Sequence, residues 1–351
     1  MKLIPRIAFS IGDTAGIGPE ITLRSLGEGG FDCIPIVYAE FSMLQGLKAD
    51  LGLSNSTVQV VSAPEDALEN TINVIQVWDT SSTIISGQPT EESGRQSFLS
   101  LNRAAKDLKE GRVDALVTAP IDKQNIQNES FSFPGHTEFL ADLSDTKDYL
   151  MLLVSGPLRV GVVTGHIPVQ EIATQVTSDK ILSKLRVIQK SLVQDFGIEQ
   201  PKIAVLGLNP HAGDKGLIGQ EEQTIIIPAI QSAQELGINA HGPFPADGLF
   251  GSAGYKEFDA ILGMYHDQGL VPFKALSFGS GVNFTAGLPI VRTSPDHGTA
   301  YDIVGQGIAD PQSFRNAVYA ALDIYRNREN HADMTSNRLK KKSGHLTKSE
   351  R

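Results

Sequence analysis

LRVGVVTGH, residues 158–166, is a short apolar run that stops at Gly165 and presents His166. Two more stretches repeat the design: KIAVLGLNPH at 202–211 and FDAILGMYHD at 258–267. Four further runs share its density of apolar and β-branched residues: RIAFSIGD (6–13), FDCIPIVYA (31–39), VDALVTAPI (113–121) and GLPIVRTS (287–294). Longer helical patterns lie between them. SGRQSFLSLNRAAKDLKEG (93–111) places Phe98, Leu99, Leu101, Ala105 and Leu108 on one face, and EEQTIIIPAIQSAQELG (221–237) closes at Gly237. Short strands alternating with helices predict an α/β fold built on a largely parallel sheet. Residues 80–95, rich in Ser, Thr and Gly, predict a loop. Composition marks no domain boundary.

Composition narrows the function classes. The chain has 351 residues, 40% of them hydrophobic and 20% charged, enough to bury a sizeable core. No run approaches the ~20 apolar residues of a membrane span, so a cytoplasmic protein without export signal or anchor is expected. A single cysteine, Cys33, excludes an intramolecular disulfide framework and thiolate metal clusters within one subunit. Net charge is −10, and it is unevenly spread. Residues 338–351 carry six cations against Glu350 alone, a net +5, which leaves −15 on the rest. So acidic a body does not suit nucleic acid. The basic tail reads as a solvated terminus.

Three of the eight histidines, His166, His211 and His266, share one context: a β-run, Gly or Pro punctuation, then His. In a parallel sheet the carboxyl ends of the strands share an edge, where α/β proteins place ligands. Three imidazoles there suit zinc, cobalt or another first-row ion better than magnesium, and leave open positions for a substrate oxygen. Each alone reads more readily as a hydrogen-bonded strand-end histidine, and three in register reverse that preference. Asp247 and Asp267 are candidates to orient a ligand histidine or accept a proton, and a turn-capping role is open for both. His136 and Thr137 open a helical stretch whose free N–H groups suit an anion, with Thr137 as the expected cap. Lys274, Asn283 and Arg292 add charge and donors around a Gly-rich apolar segment. IGDTAGIGPE (11–20) lacks the G-x-G-x-x-G order. It supports a tight strand-to-helix turn, with Pro19 near the first helical position and Glu20 in the first turn.

Eight motifs, in order, carry a resemblance: SIGDTAGIGPEI (10–21), ALVTAPIDK (115–123), FPGHTEFLAD (133–142), LNPHAG (208–213), GPFPAD (242–247), MYHDQGLVPFK (264–274), GVNFTAGLP (281–289) and RTSPDHGTAYDIVG (292–305). Over residues 4–325 the chain resembles the 4-hydroxythreonine-4-phosphate dehydrogenase family of pyridoxal phosphate biosynthesis. That resemblance implies an isocitrate/isopropylmalate dehydrogenase-like fold of two α/β domains. The expected division is 1–140 with 285–351, carrying the NAD loop, and 141–284, carrying metal ligands and dimer interface. It further implies a homodimer whose active site is shared between subunits. One divalent ion (zinc, cobalt or magnesium) would be held by His166, His211 and His266 drawn from both partners. The small phosphorylated substrate would meet His136, Thr137, Lys274, Asn283 and Arg292, with Asp247, Asp267 and Lys274 as candidates for the proton chemistry. DHGTAYDIVGQGIADP (296–311) looks like the relatives' cofactor loop, with His297, Gly298 and Thr299 beside NAD. Asp302 stands where an acidic residue would favour NAD over NADP. The implied reaction is NAD-dependent oxidation of 4-phosphohydroxy-L-threonine to a β-keto acid that loses carbon dioxide, giving 3-amino-2-oxopropyl phosphate.

The chain departs from the family pattern at Thr14 (usually Pro), Asp214 (usually Glu) and Gly248 (usually Thr). Threonate or erythronate 4-phosphate, sugar acids oxidised by paralogues, therefore stay open as substrates. A metal-free phosphate acyltransferase on a similar scaffold and a non-catalytic metabolite sensor are the readings from other classes.

Overall fold

The computed structural model describes residues 4–79 and 86–336. The basic tail (338–351) and residues 80–85 of the predicted loop lie outside them. Twelve strands form one sheet: β1 (Arg6–Ser10), β2 (Ile34–Ala39), β3 (Val58–Val60), β4 (Ile72–Gln76), β5 (Ala115–Thr118), β6 (Leu150–Ser155), β7 (Leu158–Val162), β8 (Ile203–Leu206), β9 (Ala240–Phe244), β10 (Ala260–Gly263), β11 (Val282–Ala286) and β12 (Arg292–Pro295). Their order is β3-β4-β2-β1-β5-β12-β11-β6-β7-β10-β8-β9. The seven predicted runs are β1, β2, β5, β7, β8, β10 and β12. β5 is buried along its whole length, as a parallel strand covered by helices on both faces must be.

The sheet reverses in its middle. β1 to β5 and β12 run one way, β11 is antiparallel to both β12 and β6, and β6 is antiparallel to β7. β10, β8 and β9 then follow β7 in parallel. The carboxyl ends of β5 and β7 therefore point in opposite directions, and the expectation of a single functional edge holds only within each half.

One face of the sheet carries a continuous core. Ile7 and Phe9 of β1, Val205 of β8, and helix residues such as Ile21, Leu185, Ile188, Phe314 and Leu322 belong to it. The other face carries two separate cores. Leu101, Ala105, Leu108, Phe139 and Leu140 cover β1, β2 and β5, while Leu249, Leu270 and Phe273 cover β7, β8 and β10. Between these two blocks the middle strands form the floor of a cleft.

Local chemistry sets the helices that matter. Helix Glu91–Lys109 opens on a reciprocal cap in which Thr90 Oγ1 accepts from Ser93 N and Ser93 Oγ accepts from Thr90 N. Its start at Glu91 means the predicted loop ends earlier than 95. Helix Ile227–Glu235 is preceded by one π-helical turn, Glu222–Ile226, where Pro228 lacks the N–H that the regular ladder needs. The chain enters helix Gly18–Glu28 with Pro19 in its first turn, as predicted. Among the described residues no helix is long and apolar enough to cross a membrane.

Candidate active site

The cleft floor follows from strand alternation. Leu153 of β6, Asn283 of β11 and Ser294 of β12 sit in one cross-strand row. Met151, Thr285 and Arg292 lie two residues along and so on the same face. The cleft has two connecting lobes of about 390 and 470 Å³, and Lys123, His136, Met151, His166, Asn283 and Arg292 line both.

Arg292 is only 2% exposed. Its guanidinium donates to Thr118 Oγ1 from Nε (3.1 Å) and Nη2 (2.6 Å), and to Thr285 Oγ1 from Nη1 (3.4 Å). No described carboxylate is in ion-pair contact with it; burial pulls it down from 12.5 to about 9, and the Glu138 carboxylate, at longer range, offsets only part of that. A charge buried against neutral hydroxyls is a site short of an anion. His136 stands beside it, held well below 6.5 by burial and then by the charges of Arg292 and Lys123. Its buried Nε2 has no partner.

Helix His136–Leu143 begins here, and Gly135, His136, Thr137 and Glu138 line the first lobe. Thr137 is not the cap. Gly135 holds that position without a side-chain bond, so the first N–H groups stay available to an anion.

The two imidazoles of His166 and His266 meet across the second lobe with ring centroids 5.3 Å apart. His166 is held below 6.5 by burial, then by Lys123 and His266, which favours the neutral ring that ligates metal. His266 opens helix His266–Ser277, and its Nδ1 lies 2.7 Å from Asp267 Oδ1. That pairing leaves Nε2 for a ligand. His211 is not with them. It is exposed, at the carboxyl end of β8, within six consecutive positive-φ residues, His211–Gly216. Left-handed backbone is costly outside glycine. Glu222 anchors the turn by accepting from Leu208 N (2.8 Å) and Asn209 N (2.7 Å).

Among the described residues, no group of three or more His, Cys, Asp or Glu could hold a metal within one chain. His166 and His266 are two of the three imidazoles that the sequence nominated. Two neutral nitrogens suit a borderline ion, and the third donor is not beside them.

Lys274 reaches across to donate to Asp296 O (3.1 Å), and Asp296, His297 and Gly298 wall the second lobe. Thr299 and Asp302 do not line it. Thr299 O accepts from Ile17 N (2.9 Å), and Asp302 is exposed in the single turn Tyr301–Ile303. Asp247 is exposed in helix Ala246–Gly251, away from both lobes. The sequence reading missed Lys123, whose only signal was its place three residues past Pro120 in ALVTAPIDK. It also missed Glu138, in the first turn of the anion-facing helix.

The family description "Pyridoxal phosphate biosynthetic protein PdxA" matches residues 32–321. A 4-hydroxythreonine-4-phosphate dehydrogenase of Bacteroides thetaiotaomicron is 46% identical, over 96% of this chain and 93% of that protein. A protein of Oceanobacillus iheyensis, provisionally named D-threonate 4-phosphate dehydrogenase, is 39% identical over 92% of this chain and 99% of its own. The crystal structure of the 4-hydroxythreonine-4-phosphate dehydrogenase of Klebsiella pneumoniae superposes with a TM-score of 0.81 at 36% identity, covering 92% and 99% of the two chains. Isocitrate dehydrogenase of Methylococcus capsulatus, at 12% identity and a TM-score of 0.51, shares the fold.

Proposed function

Because the chain belongs to the PdxA family of pyridoxal phosphate biosynthetic proteins, we propose that it is the dehydrogenase that oxidises 4-phosphohydroxy-L-threonine with NAD in that biosynthesis. The β-keto acid formed would lose carbon dioxide to give 3-amino-2-oxopropyl phosphate. The observation that carries this reading is the pairing of two unlike sites in one cleft: a buried, unpaired guanidinium at Arg292 and the facing imidazoles of His166 and His266. The first suits a phosphate and the second a metal-chelating hydroxy acid.

Each residue has a task in this scheme. Arg292, His136, Thr137 and the N–H groups at the start of helix His136–Leu143 hold the phosphate. Asn283, on the floor between them and His166, hydrogen-bonds the substrate's polar groups. His166 and His266 would hold a divalent ion, zinc or cobalt before magnesium, with Asp267 fixing the ring of His266. A bound ion would supply polarisation of the substrate's hydroxyl, and NAD would supply the hydride acceptor. Lys274 is the cleft's candidate proton carrier, and the loop 297–302 is the candidate nicotinamide-cofactor wall. Asp247, exposed and lining neither lobe of its own subunit, would reach this chemistry only from a partner.

We infer a homodimer in which His211 of one subunit completes the metal site of the other. Support comes from its presentation on an outward left-handed turn, beside Leu217 at 81% exposure, and from Val271 and Phe278 (89%), exposed on and just after helix His266–Ser277. We likewise propose the division into 1–140 with 285–351 and 141–284: β12 pairs with β5 of the early strands, while β11, within which the 284/285 boundary falls, pairs with both β12 and β6. A cytoplasmic enzyme is the matching location.

The test is NADH absorbance with 4-phosphohydroxythreonine and 4-phosphothreonate side by side, before and after chelation. The Oceanobacillus relative keeps the second substrate as the alternative. Faster turnover of it would move the chain to sugar-acid catabolism, and no turnover of either would end the dehydrogenase reading for these compounds. His211→Ala is expected to lose bound metal and activity while its circular dichroism stays unchanged. Full turnover by the metal-free variant would remove the metal from the mechanism.

A further inference from the structure

The sequence motif left without a task is the glycine loop 11–17, and at its centre lies Asp13, 1% exposed with no Lys or Arg paired to it among the described residues. A buried carboxylate must be met by donors. Asp13 Oδ1 accepts from Ala15 N (2.9 Å), while Oδ2 accepts from Asn125 Nδ2 (2.9 Å) and from Tyr301 OH (3.0 Å). Those two side chains come from different loops. Asn125 follows β5 on the loop that carries Lys123 into the cleft, and Tyr301 follows β12 on the loop whose Asp296, His297 and Gly298 form another wall.

The backbone is packed to the same plan. Asp13 N donates to Pro120 O (2.9 Å) and Ile17 N to Thr299 O (2.9 Å). A Cβ at Gly16 would lie 2.8 Å from Thr299 O, so only glycine admits that approach. Thr14, where the family usually has proline, ties the loop outward through Oγ1 to Gln96 Oε1 (2.8 Å) of helix Glu91–Lys109.

We propose that Asp13 is a positioning residue: one carboxylate oxygen, shared by Asn125 and Tyr301, locks the two loops that wall the cleft at a fixed separation. The branches are separable. Tyr301→Phe removes the Asp13 bond to the 296–303 loop, Asn125→Ala removes the Asp13 bond to the 119–126 loop together with the one from Asn125 Nδ2 to Ser93 Oγ at the start of helix Glu91–Lys109, and Asp13→Asn disturbs both branches.

This inference rests on the cleft being the active site, so its deciding measurement needs no substrate. Amide hydrogen exchange is followed by mass spectrometry on the ligand-free, full-length protein and the three variants. In Tyr301→Phe, exchange in 296–303 is expected to rise about tenfold with 119–126 unchanged, and the pattern inverts in Asn125→Ala, since lost bonds to a charged group lower local opening free energies. Asp13→Asn accelerates both segments. β1 and β5 keep their protection in every variant. Equal acceleration across both loops and the core, or none, overturns the proposal, because a merely structural role destabilises without respect to branch. NAD titration by NADH-competition fluorescence and a KM comparison follow. Tyr301→Phe is expected to raise the KM for NAD about tenfold, with the KM for the phosphorylated substrate near that of the unaltered protein. Branch-wise exchange with unchanged NAD affinity supports the lock and instead removes the cofactor from the 297–302 loop.

Discussion

Arg292→Met should make the protein more stable and much less active. The guanidinium is buried without a carboxylate, and the fall from 12.5 to about 9 corresponds to a cost on the order of 5 kcal/mol for keeping the charge there. Methionine has similar length and no charge to desolvate. Against that gain stand the hydrogen bonds to Thr118 Oγ1 at 3.1 and 2.6 Å. Their loss leaves a buried hydroxyl short of a donor, at roughly 1–3 kcal/mol. The balance is a stabilisation of about 2–4 kcal/mol, in line with the replacement of buried ionic groups by apolar ones, read as a melting temperature higher by a few degrees. Binding moves the other way. Losing a desolvated charge-assisted contact to a phosphate costs about 3 kcal/mol, a fall in kcat/KM of roughly a hundredfold.

The assay is thermal unfolding with and without saturating inorganic phosphate, alongside steady-state kinetics. Phosphate is expected to stabilise the unaltered protein by linkage and to leave the variant unmoved. A lower melting temperature with retained kcat/KM, or an undiminished phosphate shift, would show that Arg292 is a packing residue and refute the reasoning.

Two other perturbations test neighbouring parts of the argument. His136 is a base whose folded pKa lies below 6.5, so between that value and 6.5 the unfolded chain binds more protons and stability falls as pH drops through the window. Urea midpoints of His136→Gln should fall less steeply below pH 6.5, and an unchanged slope would assign the acid sensitivity elsewhere. Gly12→Ala combines a φ of +72° with a Cβ driven against Pro120 O. A loss of about 2 kcal/mol or more in the denaturant midpoint is expected, and a neutral outcome would mean that the loop carrying Lys123 can move aside.

Six of the seven runs were legible because a strand buried on both faces is largely apolar, whereas in the seventh the apolar residues 288–291 precede the polar strand Arg292–Pro295. β9, at the sheet edge with Gly242 and Pro243 inside it, carries no such signal. β6 does, but a continuous apolar run reads equally as a buried helix. Residue type and context nominated Arg292, His136 and His166 and the resemblance gave them roles, yet nothing in the order of residues says that β6 and β11 reverse the sheet. That reversal places Lys123 and His166, from strands of opposite direction, in one cleft.

By itself the sequence determined the α/β class, the family, and a chemistry of imidazoles and cations, since these depend on residue type and local period. Only the tertiary structure decided that Arg292 is buried with no carboxylate in ion-pair contact, that two of the three histidines meet while His211 faces outward, and that Asp13 joins two cleft loops. Burial and long-range pairing are properties of what packs alongside a residue, and no window along the chain contains them. Asp13 and Tyr301 stand 288 positions apart, joined by a single hydrogen bond.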